Sequence, residues 1–233
     1  MAIVINGSGT LSGLAVGGLP DGTVDAGTLA SNAVTNAKIT DGAVDAAAVA
    51  ADVATQAELD AVPMALITTR TASDGDSYVS LSGVFNSTYS KYILEGINFL
   101  PNTDNAAIRG NFESGGSYNT SSVYDTMIGS VTNGAVGSWI NLSNSSYAAF
   151  SGHGNQGNGT NEQYAFSIEL IDPSNTNYQK FWRTLQAVYA ASGKLAGIYG
   201  GGSWTNNAAV TGLRLYYSSG TFKSGTLKVY GVK

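Results

Sequence analysis

YAFSIELI, residues 164–171, decides the fold class. Its alternate residues Phe166, Ile168 and Leu170 are apolar, while Ser167 and Glu169 between them are polar. A period of two marks a strand that buries one face and wets the other. Stretches of the same kind lie on both sides: YVSLSGVF (78–85), YILEGINF (92–99), FWRTLQAVYA (181–190), VTGLRLYYS (210–218) and GTLKVYGVK (225–233). All are rich in β-branched and aromatic residues. Gly, Asn and Ser clusters separate them, as in ESGGSYNTSS (113–122), SGHGNQGNGTNE (151–162) and YGGGSWTNN (199–207), and these read as turns. Short strands with frequent turns and no sustained helical period predict an all-β domain over 63–233, an antiparallel β-sandwich or jelly roll. In its last segment Leu227 and Val229 alternate with Lys228 and Tyr230, so the C-terminus reads as a paired strand.

Composition supports this reading and excludes much else. Only 12% of the 233 residues are charged, and 96 are Gly, Ser, Thr or Asn, so hydroxyls and amides do the wetting that charge usually does. With no cysteine there is no disulfide framework and no thiol chemistry, and with one histidine, His153, no multi-histidine metal site. No run approaches the roughly 20 apolar residues of a membrane span, and MAIVINGSGT lacks the basic and apolar regions of a signal peptide. A chain made in a cytoplasm, without membrane insertion, is expected. The net charge of -5 is uneven. Residues 1–62 carry seven acids against Lys38 alone, and residues 63–233 are close to neutral. Neither part offers a basic stripe for phosphate contacts, which argues against nucleic acid as a ligand.

Upstream of the β-domain the text changes. Between residues 21 and 62 there is no aromatic residue, and Val24, Leu29, Val34, Ile39, Val44 and Val49 recur at a spacing of five. That is the period of neither a helix nor a strand. It suits a backbone that turns after each short extended step, with small residues such as Gly22, Gly27 and Gly42 two positions earlier to allow close approach. About forty such residues bury too little surface to offset their ordering entropy alone. Copies of the chain wound around one axis would supply the surface, with these six residues as the core of a shaft; a disordered linker is the other reading. Thr55 and Glu58 form a capping box and Pro63 a stop, predicting a short helix over 56–62.

The opening MAIVINGSGTLSGLAVGGLPDGTVDAGTL, the decads of the AVTNAKITDGAV type and the closing SSGTFKSGTLKVYGVK resemble tail-fibre and related appendage proteins of tailed bacteriophages, especially phages of aquatic bacteria and cyanobacteria. The resemblance covers both ends and the layout. It implies a homotrimeric virion protein in which residues 1–20 attach to other virion proteins, 21–62 form a trimeric intertwined shaft, and 63–233 form a distal knob that binds host-surface polysaccharide. Related repeats occur on head fibres, decoration and baseplate proteins, which need not bind a receptor, and some appendages degrade polysaccharide.

Glycan binding calls for flat aromatic faces beside amides and carboxylates. Trp204 with Asn206 and Asn207, Tyr118 with Asn119, and Tyr124 with Asp125 stand in glycine- and asparagine-rich text and are the candidate receptor contacts. Trp139 and Trp182 lie in strand-like text and read as core. Asp74 and Asp76 have the D-x-D spacing of calcium ligands without the rest of a calcium loop, so a plain turn is expected. His153 could bind a metal only by stacking with copies of itself, and no metal or cofactor is expected. An enzyme would need paired carboxylates, for which Glu95, Glu169 and Asp172 are the available strand acids. No phosphate-binding loop occurs. A non-enzymatic structural protein is the reading that fits these residues best.

Overall fold

A computed structural model describes residues 63–133, 137–151 and 156–233. The expected attachment segment 1–20, the six shaft residues Val24, Leu29, Val34, Ile39, Val44 and Val49, the helix over 56–62 and His153 lie outside the described residues.

The described part is all-β and contains no helix. Its strands are β1 (Met64–Ala72), β2 (Val79–Leu81), β3 (Lys91–Pro101), β4 (Ile108–Ser114), β5 (Ser117–Tyr118), β6 (Tyr124–Thr132), β7 (Ser138–Ser145), β8 (Ala148–Ala149), β9 (Tyr164–Ile171), β10 (Lys180–Tyr189), β11 (Leu195–Trp204), β12 (Gly212–Tyr217) and β13 (Phe222–Val232). Eight of them form one antiparallel sheet in the order β1-β13-β3-β9-β10-β11-β6-β7, and a smaller sheet runs β2-β12-β4-β5, with β8 paired to β4.

The alternation of YAFSIELI is realised in β9. Phe166, Ile168 and Leu170 are buried, and Ser167 and Glu169 face outward. Leu227 and Val229 are likewise buried in β13, which is held on both sides by β1 and β3, so the C-terminal segment is a central strand. YVSLSGVF is a strand only over Val79–Leu81, because Gly83 takes a φ of 66° and turns the chain out of the sheet. SDGDSY is a turn: Ser73 N–H donates to Asp76 Oδ2 at 2.8 Å and Gly75 has a φ of 89°. Gly115 and Gly116, with φ of 57° and 77°, close the hairpin of β4 and β5, as the two-residue left-handed turn requires.

The inner faces of the two sheets share one core. Phe112 of the small sheet meets Trp182 and Trp204 of the large one edge-on, at 5.4 and 6.2 Å between ring centroids. A second group joins Phe99, Phe166 and Phe222, with Tyr217 of β12 against Phe222 at 4.8 Å. Aromatic pairs at such spacings stabilise beyond the area they bury.

Candidate binding trough

The register of five neighbouring strands builds a site on the outer face of the large sheet. Phe181, Arg183, Leu185 and Tyr189 of β10 point away from the core, since Lys180, Trp182, Thr184, Gln186 and Val188 point into it. Opposite Phe181 and Arg183 on β11 stand Ser203 and Gly201, and opposite these on β6 stand Asp125 and Met127. Asn141 of β7 is the partner of Met127. At Gly201 and Ser203 the outward positions of β11 are thus small, between taller neighbours on both sides. The result is an open trough of about 620 Å³, with Phe181, Arg183 and Ile171 on one wall and Met127, Asn141 and Asp125 on the other.

Glycine on β11 also serves the inner side. A Cβ on Gly202 would lie 2.3 Å from the Trp182 ring, and one on Gly200 would lie 2.3 Å from the Met127 carbonyl oxygen. The run Gly200–Gly202 therefore leaves room for the Trp182 indole and the β6 backbone on the inner side while its outer surface stays low. The expected turn over 199–207 is corrected on this point: residues 195–204 are a strand paired on both sides, and only the residues after Trp204 form the loop.

Polar groups of the trough are held in place. Asp125 Oδ1 accepts the backbone N–H of Asn144 at 2.8 Å, where the pairing of β6 with β7 shifts register and Asn144 takes a φ of 54°. Arg183 is ion-paired to Glu169 of β9, which also lies 3.8 Å from Lys91 Nζ. Beyond this ion pair a second hollow of about 450 Å³ is lined by Ser167, Leu185 and Tyr199.

Of the candidate receptor contacts singled out in the sequence, Asp125 alone lines the trough. Trp204 is fully buried in the aromatic core, so its indole face is not open to a ligand. Asn206 and Asn207 are exposed; the Asn206 side chain accepts the Ala208 N–H at 2.8 Å, and the Asn207 carbonyl accepts from Lys180 Nζ at 3.2 Å. Tyr124 is buried opposite Trp204 and is a strut: its hydroxyl donates to the Asn119 carbonyl at 2.8 Å and accepts the Phe112 N–H at 3.0 Å. Burial pushes its pKa up to about 12 against the lowering effect of the Phe112 N–H and the Asn111 side chain. Asn119 Oδ1 accepts the Ser121 N–H at 2.8 Å, and Tyr118 packs 4.9 Å from the Arg214 guanidinium. Tyr118, Asn119 and Tyr124 shape a loop and offer little free surface, while Asn206 and Asn207 stay exposed.

The tryptophans divide differently from the expectation. Trp182 is buried as expected, but Trp139 is 58% exposed on the outer face, stacked over Gly129 and set edge-on to Tyr199 at 5.8 Å. Its strand carries the clue, since Trp139 shares parity with the polar Asn141 and Ser143.

Among the strand acids, Glu95 and Glu169 are diagonal neighbours on β3 and β9, about 7–8 Å apart by the geometry of such pairs. Glu169 is engaged by two cations and Glu95 stands opposite Lys228. Asp125 is three strands from Glu169, about 14 Å at the usual spacing, too far to act with it as a carboxylate pair. Asp172 caps the turn after β9, accepting from Asn175 Nδ2 at 2.7 Å.

No protein-family model, curated protein or solved structure matches the chain.

Proposed function

We propose that the chain is a tail fibre of a tailed bacteriophage, a homotrimer in which residues 63–233 bind neutral host-surface polysaccharide through the trough on the outer face of the large sheet. The observation that carries the glycan reading is the pairing of the exposed Phe181 ring with the fixed Asp125 carboxylate, the Asn141 amide and the Ser203 hydroxyl around a glycine floor. A sugar ring lays its apolar face on an aromatic ring and directs its hydroxyls sideways to amides and carboxylates. The virion assignment rests on the resemblance of both chain ends and on the five-residue repeat.

Binding proceeds without a chemical step. Phe181 and Met127 hold the apolar face of one ring, Asp125 and Asn141 accept and donate to hydroxyls on one side, and Arg183 and Ser203 donate on the other. Each hydrogen bond from Asn141 or Ser203 contributes about 1 kcal/mol after its exchange with water and each to Asp125 or Arg183 about 1.5–3 kcal/mol, and the lost freedom of the ligand offsets much of this, so one open trough binds weakly. Several copies engaging one polymer multiply that affinity through their local concentration.

The test uses fluorescent full-length protein on host cells. Binding that neutral host polysaccharide displaces supports the reading. Failure to bind cells or any purified host polysaccharide overturns it and favours a head-fibre, decoration or baseplate component; release of reducing ends during binding favours a degrading appendage. Labelling on intact particles confined to the capsid rejects the tail assignment.

A further inference from the structure

Past Arg183 the outer face of the large sheet changes character. Leu185, Tyr189, Leu195, Tyr199, Val131 and Trp139 are each 43–68% exposed. Register makes them one patch. Leu185 faces Tyr199, Tyr199 faces Gly129, and Gly129 faces Trp139, forming a row across β10, β11, β6 and β7. Tyr189 faces Leu195 at the hairpin end, and Val131 faces Gly197 between the two rows. No charged residue stands inside this outline. The ion pair of Glu169 with Arg183 borders it on one side, and the turn carrying Lys194 borders it on the other.

At these exposures the six side chains present on the order of 650 Å² of largely apolar surface. The largest such patch on a monomer is usually about 300–600 Å², and each partner of a standard interface contributes about 800 Å². The composition is that of an interface centre, rich in Trp, Tyr and Leu and free of charge. An uncharged patch is complementary to itself, because a second copy brings no charge to be desolvated. The sequence also asks for copies: the aromatic-free repeat over 21–62 has too little apolar surface to order alone.

We infer that the apolar half of this face, centred on Leu185, Tyr199 and Trp139, is covered by the same face of the other copies of the chain around the trimer axis, with the trough of Phe181, Asp125 and Asn141 left open at the border of the contact. The inference rests on the fibre reading and deepens it: the β-domains touch one another directly, not only through residues 21–62, and the binding troughs stand beside the contacts between subunits.

The chain has no cysteine, so Ser192→Cys, in the exposed turn at the hairpin end of the patch, gives one thiol per chain. Full-length protein carrying this change is labelled with a benzophenone maleimide, irradiated and run on a denaturing gel, and the cross-linked peptides are mapped by mass spectrometry. The expected product has the mass of two chains, joins the label to β6, β7, β10 or β11 of another copy, and is lost with Leu185→Asp. Leu185 is 68% exposed, so the far-UV spectrum should be unchanged; Leu195→Asp, at 55%, is the second variant should Leu185→Asp misfold. Adducts of single-chain mass only, including any that map to residues 1–62, would overturn the inference, as would a two-chain band that survives both substitutions. Light scattering on the unlabelled protein separates the two levels. An oligomer without the cross-link refutes this inference alone, whereas a monomer refutes the fibre reading as well.

Discussion

Strand β10 has two faces of about equal size, and each carries what the other would be expected to hold. The inner face has Lys180, Thr184 and Gln186 beside Trp182 and Val188; the outer face has Phe181, Leu185 and Tyr189 around Arg183. Inside, the side chains of Lys180, Thr184 and Gln186 all have hydrogen-bond partners, and among the inward polar groups of the strand the Trp182 indole N–H has none within the described residues. Lys180 Nζ donates to the Tyr178 and Asn207 carbonyls at 2.6 and 3.2 Å, and Gln186 bridges Tyr164, Thr184 and the Phe150 carbonyl. Outside, the apolar rings have no such closure within the described residues. A buried polar group that is paired costs little, while an exposed apolar group remains in contact with water until something covers it. The inner face therefore maintains the fold, and the outer face is the one with unused binding capacity.

The largest test of that contrast uses the two tryptophans. Trp182→Ala should cost about 3–5 kcal/mol, since it opens a cavity among Phe112, Tyr124 and Phe150. In a Leu185→Asp background, where the contact between copies is already lost, Trp139→Ala should change stability by less than about 1 kcal/mol. Urea unfolding followed by circular dichroism reads both, and equal losses would break the comparison.

Alkaline titration probes the buried and half-buried tyrosines next. Burial raises the pKa of Tyr92, Tyr124, Tyr164, Tyr216 and Tyr217 above the value of about 10 in the unfolded chain. Their contribution is fully present below pH 10 and is lost as pH rises through the folded values. For Tyr124 that window runs from about 10 to about 12, at up to about 1.4 kcal/mol per pH unit. Lys180 works in the opposite sense: burial lowers its pKa, so the folded state carries a penalty that lifts as pH approaches the unfolded value of 10.5. With five tyrosines against one lysine, the urea midpoint should fall above pH 10, and Tyr124→Phe should flatten the fall. A midpoint independent of pH up to 12 would contradict this.

Two glycines of one strand sharpen the comparison further. Gly200→Ala places a methyl 2.3 Å from the Met127 carbonyl at a φ of 155° and should cost about 2 kcal/mol. Gly197→Ala meets nothing within 4 Å and should stay within about 0.5 kcal/mol. Thermal melts of the pair measure the difference.

Parity decides how much of the fold is legible in the sequence. Alternation in YAFSIELI and GTLKVYGVK is a local signal, and it reports the burial of Phe166, Ile168, Leu170, Leu227 and Val229 because each strand packs one face on the core. The glycine run of β11 is the opposite case. Its local chemistry is that of a turn, and the reason it forms a strand, the close approach of Trp182 and of the β6 backbone, lies on other strands. Trp204 looked exposed because it follows that run, yet it shares parity with the buried Ala196 and Ile198. Trp139 looked buried because its neighbours read as a strand, yet it shares parity with Asn141 and Ser143. The trough is legible only as a type, an aromatic ring with amides and carboxylates, because its members come from five strands whose order no single segment states.

The central claim is that the outer face binds glycan at the trough. Calorimetric titration of purified host polysaccharide into full-length protein, unaltered and with Phe181→Ala, tests it most directly. Phe181 is 53% exposed, so its loss should leave the urea midpoint unchanged. The expected result is binding by the unaltered chain and a weakening of about tenfold, near 1.4 kcal/mol, in the variant; equal affinity in the two proteins would contradict the account.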